Sequence, residues 1–276
     1  MVARADNVWA VIPPTIVILQ GPVGKLARLP RHGIGLHVEA HGRGPGLLLT
    51  HGFGAISRMW DEQIEEFTDR HQLILWDLPG HGGSEAPGEA TTQKNLVADM
   101  RAVLGTAKVS RAVLVGLGIG GVLSLRFWRA YPANVRGLVL IGTTPGLRSA
   151  PARALSNAHA ELQAAALERD GLAALEGGAE ADPRLHTDPA GLAAAARILL
   201  TQDDEGALPF LADIGVPALI LVGGADKPNL TAAAYMERIM PNARAVVIPR
   251  ANHAVNIHKP DVANAAIRDF LGRLPE

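Results

Sequence analysis

Four stretches of this sequence carry residues or turns that could do chemistry: HGFG at 51–54, DLPGHGGS at 77–84, GLGIGG at 116–121, and the late pair Asp226 and His253. The third is the most demanding. From Val113 to Leu125 the chain reads VLVGLGIGGVLSL, an apolar run, a cluster of glycines and a second apolar run of different rhythm. That is the pattern of a strand, a sharp turn and a helix. Two chemistries use such a turn. A phosphate-cradling loop, G-x-G-x-x-G, is spelled by Gly116, Gly118 and Gly121. A nucleophile elbow, G-x-S-x-G, is framed by Gly116 and Gly120, with Gly118 standing where the serine would be.

The phosphate reading expects an acidic residue about twenty positions on, at the end of the next strand. The chain there reads Ile141-Gly142-Thr143-Thr144, without an acid. The elbow reading expects an acid and then a histidine later in the chain. A histidine base needs a carboxylate to hold its tautomer and stabilise its imidazolium, and Asp226 meets that need if the two residues follow neighbouring strands. Each residue also has a plainer reading, Asp226 as a helix N-cap and His253 as an exposed loop histidine. His51 reads as a ring packed beneath its own loop, 77–84 as a structural turn and His258 as a surface residue. Ser84 offers a hydroxyl, but nothing in the sequence sets it against His253.

The elements that must position these residues alternate along the chain. Strand-like runs fall at 35–40, 47–50, 73–76, 112–115, 138–142, 218–222 and 245–248, with helical patterns at 58–68, 92–104, 119–130, 231–240 and 261–271. The later strands are near-continuous apolar runs, as in a parallel sheet covered on both faces, and the alternation predicts a doubly wound α/β sheet. The turn-rich HGRGPG between the first two strands predicts an antiparallel hairpin at the sheet edge. From about 145 to 213 only Ala/Leu-rich helical pieces occur, which predicts a cap over the carboxyl ends of the strands. Ligands of open α/β sheets bind at those ends, and the chemically suggestive stretches all follow strands.

Taken in order, HGFG, DLPGHGGS, GLGIGG, Asp226 and His253 resemble the α/β-hydrolase superfamily over about residues 30–276. In detail they are similar to the small-cap esterase and lactonase branch, of which the 3-oxoadipate enol-lactonases are an example. The resemblance implies an α/β-hydrolase fold, with a mostly parallel sheet of the eight-stranded type, helices on both faces and a small helical cap. It divides the chain into a core at 29–144 and 214–276, a cap at 145–213 and an N-terminal extension at 1–28 with no assigned role. It puts the nucleophile position at Gly118, the acid at Asp226, the base at His253 and the oxyanion donors at the backbone N–H groups of Phe53 and Ile119. The substrate pocket is expected between the elbow and the cap, lined by Phe53 and Ile119 together with His51, Gly52, Leu117 and Trp60, and apolar. Arg148 and Arg153 are expected to be solvated. Two residues beside the base depart from the family pattern: Asn252, usually Gly, and His258, often Glu.

Gly118 is the large departure. Glycine takes a positive φ without a Cβ penalty, so the turn survives, but an acyl-enzyme on a serine at this position does not. Three activities remain open: a small-ester or lactone hydrolase whose nucleophile is replaced, an enzyme of lyase or cofactor-free oxygenase type using His253 and Asp226 as a general base, and a non-catalytic ligand binder. The bulk composition narrows the partners. The 276 residues are 48% hydrophobic and 19% charged with a net charge of -1, which argues for a packed core and against nucleic acid or an anionic membrane surface. There is no cysteine, so disulfides and thiolate chemistry are excluded. The apolar stretch near the N-terminus is broken by Pro13 and Pro14 and is too short for a membrane span. The expectation is a cytoplasmic protein acting on a small molecule, with no metal, no organic cofactor and no defined oligomeric state.

Overall fold

The structure is a computed structural model and describes residues 17–20, 25–202 and 206–275. Its strands are β1 (Val17–Gln20), β2 (Lys25–Arg31), β3 (Ile34–Gly42), β4 (Gly46–Thr50), β5 (Gln72–Trp76), β6 (Ala112–Leu117), β7 (Val135–Ile141), β8 (Ala218–Gly223) and β9 (Ala243–Ile248). They form one sheet in the order β1-β2-β3-β5-β4-β6-β7-β8-β9. The pairs β1–β2, β2–β3 and β3–β5 are antiparallel, and every pair from β5 to β9 is parallel.

Two expectations are corrected by this topology. The strands at 35–40 and 47–50 are not a hairpin: β3 pairs with β2 and β5, and β4 lies in the middle of the sheet between β5 and β6. The reason is hydrophobic. All five residues of β4 are buried, and such a strand requires a partner on each side and a layer on each face. The segment read as an N-terminal extension also contributes β1 and the start of β2, so the sheet has nine strands among the described residues. The rest of that segment lies outside the described residues.

Side-chain alternation along the central strands divides the core into two layers. On one face, Leu48, Ile74, Trp76, Leu114, Leu138, Leu140 and Ile220 pack with α2 (Gln93–Thr106), α3 (Ile119–Ala130) and α6 (Lys227–Ile239). On the other, Leu47, Leu49, Leu73, Leu75, Val113, Val115, Val139 and Leu221 pack with α1 (Asp61–Phe67), α7 (Val255–His258) and α8 (Pro260–Gly272). A buried network of Gln63, Asn256 and Asn264 ties α1, α7 and α8 together: the Gln63 amide donates to Asn264 Oδ1 at 2.7 Å and the Asn256 amide donates to Gln63 Oε1 at 3.3 Å. This fixes the chain that leaves His253.

Between β7 and β8 lie α4 (Ala150–Asp170) and α5 (Pro189–Leu199), joined through short 3-10 turns. They share an apolar cluster of Ala164, Leu167, Leu175, Leu192, Ala193 and Ala196, against which Phe53 packs. Asp188 starts α5 by accepting from Gly191 N–H at 2.8 Å, a side-chain cap of an otherwise orphan donor. Gln93, at the start of α2, donates to the carbonyls of Ile198, Leu199 and Thr201 at 2.9–3.2 Å and fastens the end of α5 to the core. Among the described residues no helix is long and apolar enough to cross a membrane.

Leu114 is fully buried in the central strand, whereas Val247 at the β9 edge is 51% exposed. Leu114→Ala is therefore expected to lose about 2–5 kcal/mol of unfolding free energy. Val247→Thr is expected to stay within about 0.5 kcal/mol. Urea melts of the two variants check both values, and similar losses would contradict the assigned layering.

Candidate active site

The turn from β6 into α3 is made by glycines under tight backbone packing. Gly118 precedes the first residue of α3 at φ +53, ψ −114, a region that side chains rarely occupy. A Cβ on Gly116 would lie 2.3 Å from the Gly120 carbonyl carbon, and one on Gly120 would lie 2.2 Å from the Thr50 carbonyl oxygen. Neither position has room for any larger residue. A Cβ on Gly118, by contrast, would meet no backbone and only the ring of His253, closely, at 3.3 Å from Nε2.

His253 follows β9, and its Nδ1–H donates to Asp226 Oδ2 at 2.8 Å. Asp226 sits at the N-terminus of α6 but makes no side-chain cap there; its carboxylate is 8% exposed and turned to His253. Asn229, one turn into α6, donates to the same Oδ2 at 2.9 Å and accepts from Thr144 Oγ–H at 2.8 Å. The carboxylate is thus held by a chain of three polar side chains. Sequence reasoning missed Asn229 and Thr144; the i, i+3 spacing of Asp226 and Asn229 at a helix start was the available signal. A Cβ on Gly142 would lie 2.7 Å from both Nδ1 and Cε1 of His253, so the ring rests on bare backbone on that side as well. The Asn252 N–H donates to exposed His258 Nδ1 at 3.2 Å, so the two unusual residues pair with each other beside His253.

The HGFG loop is organised by three buried histidines. His51 Nδ1–H donates to Gly52 O at 2.7 Å while its Nε2 accepts from Leu78 N–H at 2.8 Å. His81 Nδ1–H donates to Pro79 O at 3.0 Å and its Nε2 accepts from Gly54 N–H at 3.0 Å. His186, from the cap, donates through Nε2–H to Gly54 O at 2.8 Å. The rings of His81 and His186 meet edge to face at 5.7 Å, and His81 meets Phe53 likewise at 5.1 Å. Each nitrogen pairing demands a neutral ring. Burial pushes His51 down to about 3 and depresses His81 and His186 as well. His51 therefore orients its loop, as the sequence implied, and the turn at 77–84 is structural too: Asp77 accepts from Ser57 N–H and Gly83 N–H, and Ser84 Oγ–H donates to Asp77 O at 2.6 Å.

The neighbours of the Phe53 N–H are committed, since Gly54 N–H donates to His81 and Ala55 N–H donates to Gly52 O. Ile119 is the first residue of α3, where an N–H has no intrahelical acceptor. One further group enters from the cap. Glu180 Oε1 stands 3.9 Å from His253 Nε2 with its side chain 14% exposed, and a Cβ on Gly52 would lie 3.1 Å from that oxygen. Burial raises the Glu180 carboxyl above the usual carboxylate range, against the opposing pull of His253. Glu180 lies just after Gly177 and Gly178 in a cap connection without periodic pattern, so nothing in the sequence singled it out.

A cavity of about 450 Å³ opens from Gly118, Ile119, Phe53 and His253 towards α4 and α5. Four residues expected to line it do not. His51, Trp60 and Leu117 are fully buried, and Gly52 is covered by Glu180 and Leu117. Trp60 ends a short turn before α1 and packs into the sheet layer opposite α3, too deep to meet a ligand. The walls are also not apolar throughout, because Gln93, Arg126, His159, Gln163 and Gln202 join Leu199 and Val122. Arg148 and Arg153 stay outside the lining: Arg148 donates to Tyr235 Oη at 3.1 Å and Arg153 to the Leu147 and Arg148 carbonyls at 3.0 and 2.7 Å.

The family model of the alpha/beta hydrolase family matches residues 47–266. The chain belongs to that family, has its fold and is an enzyme of it. It is similar to the pimeloyl-(acyl-carrier protein) methyl ester esterase of Stenotrophomonas maltophilia (strain K279a), 29% identical with 87% of this chain and 97% of the relative covered. It is 27% identical to the 2-(acetamidomethylene)succinate hydrolase of Mesorhizobium japonicum, over 86% of this chain and 92% of that one. The solved structure of the enol-lactonase from Burkholderia xenovorans LB400 superposes with a TM-score of 0.70 at 24% identity, over 88% of this chain and 98% of that one.

Two outcomes follow from this packing. Gly120→Ala is expected to cost about 3 kcal/mol or more, at the upper end of overpacking, because its Cβ meets backbone. Gly105→Ala, in α2 with nothing within 4 Å, is expected to be neutral or to stabilise by up to about 1 kcal/mol; thermal melts compare them. The second concerns pH. Four histidines, His51, His71, His81 and His186, are depressed by burial. His37 is raised, burial being outweighed by its bond to Glu39 and the nearby acids. A depressed histidine contributes stability that is complete above the ordinary imidazole value near 6.5 and is lost as pH falls. Unfolding free energy should therefore drop between pH 7 and pH 5, above the ordinary carboxylate range, by up to about 1.4 kcal/mol per pH unit for each net proton taken up on unfolding. A flat or rising profile in that window would contradict the neutral rings.

Proposed function

We propose that the chain hydrolyses a small carboxylic ester or lactone at the cavity floor, with His253 as base, Asp226 as its orienting acid, and the backbone N–H groups of Phe53 and Ile119 as oxyanion donors. Gly118 occupies the nucleophile position. The observation that carries the reading is the alignment of His253: Nδ1 is tied to Asp226 at 2.8 Å and Nε2 faces the Cβ direction of Gly118 at 3.3 Å. A hydroxyl one bond beyond that Cβ falls within hydrogen-bond reach of Nε2, the arrangement needed to deprotonate it. The names of the relatives, an esterase and a hydrolase, support the same reaction class.

As written, the site lacks that hydroxyl and is weakly active. Loss of the nucleophile in a serine protease costs roughly 10⁶ in turnover and leaves about 10³–10⁴ over water from the rest of the site. The mixed polarity of the walls, with Arg126 and Gln163 among them, favours a substrate bearing polar groups beyond its ester.

The test is Gly118→Ser against a panel of short-chain aryl esters and simple lactones. Turnover is expected to rise by roughly 10³-fold or more. The fold should lose about 1–3 kcal/mol, because serine is strained at this backbone position. His253→Ala should abolish the gain. A Gly118→Ser protein that folds and hydrolyses nothing would overturn the reading and leave the second possibility, proton abstraction by the His253–Asp226 pair alone.

A further inference from the structure

The proposed reaction leaves open what attacks the substrate in the chain as it stands, and the cap holds a group placed for the task. His253 Nε2 faces two things: the side-chain direction of Gly118 at 3.3 Å and the Glu180 carboxylate at 3.9 Å. The second distance is too long for a direct hydrogen bond. It matches two groups that share one water, each about 2.8 Å from it. Glu180 also lies over Gly52, the residue before Phe53.

We propose that Glu180 is a catalytic residue of this site, which together with His253 holds and activates a water that attacks the substrate carbonyl directly. The inference rests on the hydrolase reading above and supplies its nucleophile. Water oxygen bonds to the carbonyl carbon while one water proton passes to His253 Nε2; the Glu180 carboxylate accepts a hydrogen bond from the other O–H. The negative charge that develops on the carbonyl oxygen meets the N–H groups of Phe53 and Ile119. The intermediate collapses as the bond to the leaving oxygen breaks and that oxygen takes the proton from His253 Nε2–H. One water is consumed, one acid and one alcohol are released, and no acyl-enzyme forms.

Two further observations fit this role. Glu180 has no cation paired with it besides His253 among the described ion pairs, so its charge is available to the water. Its burial raises its basicity, which strengthens its hold on a water O–H.

The test is a cycle of four proteins, the chain as written, Glu180→Gln, Gly118→Ser and Gly118→Ser/Glu180→Gln, assayed with p-nitrophenyl acetate and with γ-butyrolactone. Glu180→Gln keeps the shape of the side chain, and a thermal melt confirms that each protein folds. In the chain as written, Glu180→Gln is expected to lower kcat at least tenfold with KM changed less than threefold. In the Gly118→Ser background it is expected to change kcat less than threefold, because the serine now attacks. Only the Gly118→Ser proteins should release a burst of p-nitrophenol equal to the enzyme concentration. Equal losses in both backgrounds would make Glu180 structural and overturn the inference, as would no loss in the chain as written. Activity confined to the Gly118→Ser proteins would overturn it while the hydrolase reading stands. Inactivity of all four would overturn both.

Discussion

The approach of α3 to the end of β4 is the constraint on which the rest of the site depends. The backbone at Gly120 runs so close to the Thr50 and His51 carbonyls that a single methyl group is excluded, and Gly116 is closed in by Gly120 itself. Side chains at these two positions would push the helix away from the sheet. Without them, the first turn of α3 and the loop leaving β4 form one rigid unit. Ile119 and Phe53, which follow different strand ends, are thereby fixed in the lining of one cavity. In the proposed reaction their N–H groups are the oxyanion donors, and donors fixed in advance require no reorganisation when charge develops in front of them.

Histidine serves two purposes here, and surroundings decide which. His51, His81 and His186 are almost wholly buried, and their ring nitrogens are matched to backbone donors and carbonyls. They are neutral cross-links that hold the HGFG loop, and proton transfer from any of them would break a bond they make. His253 has only Nδ1 committed to a strong partner, and its side chain is 28% exposed. Its Nε2 looks into the region shared by Gly118 and Glu180. The same imidazole is thus a structural rivet when both nitrogens are matched and a proton carrier when one is left facing a cavity.

The strands of the parallel half were legible because their apolar runs are long, and the residues at their ends were legible because glycines and polar side chains follow abruptly. Asp226 and His253 come together because β8 and β9 are neighbours, a pairing that motif order alone implied. What escaped depends on contacts far apart in sequence. The pairing of β3 with β5 rather than β4 is decided by the burial of β4 on both faces, whereas the turn-rich link between β3 and β4 reads locally as a hairpin. Trp60 has the character of a pocket aromatic, yet it is drawn into the sheet layer. Glu180 and the cap residues of the cavity wall sit in segments whose Ala-rich pattern carries little positional signal, so only the folded cap reveals which side chains turn inward.

The geometry around His253 is made by backbone, and that separates the base from the nucleophile. The ring rests between Gly118 and Gly142, and a Cβ at Gly142 would collide with it at 2.7 Å. Asp226 and Asn229 hold it from α6, and the buried amides of α7 and α8 fix the chain behind it. None of these contacts involves a side chain at position 118. Glycine there also relieves a backbone that would strain any other residue by about 1–3 kcal/mol. The His253–Asp226 pair therefore keeps its geometry without a serine at position 118. In the proposed reaction a carboxylate from the cap brings a water to that pair, and at 3.9 Å from Nε2 Glu180 is within one water of it.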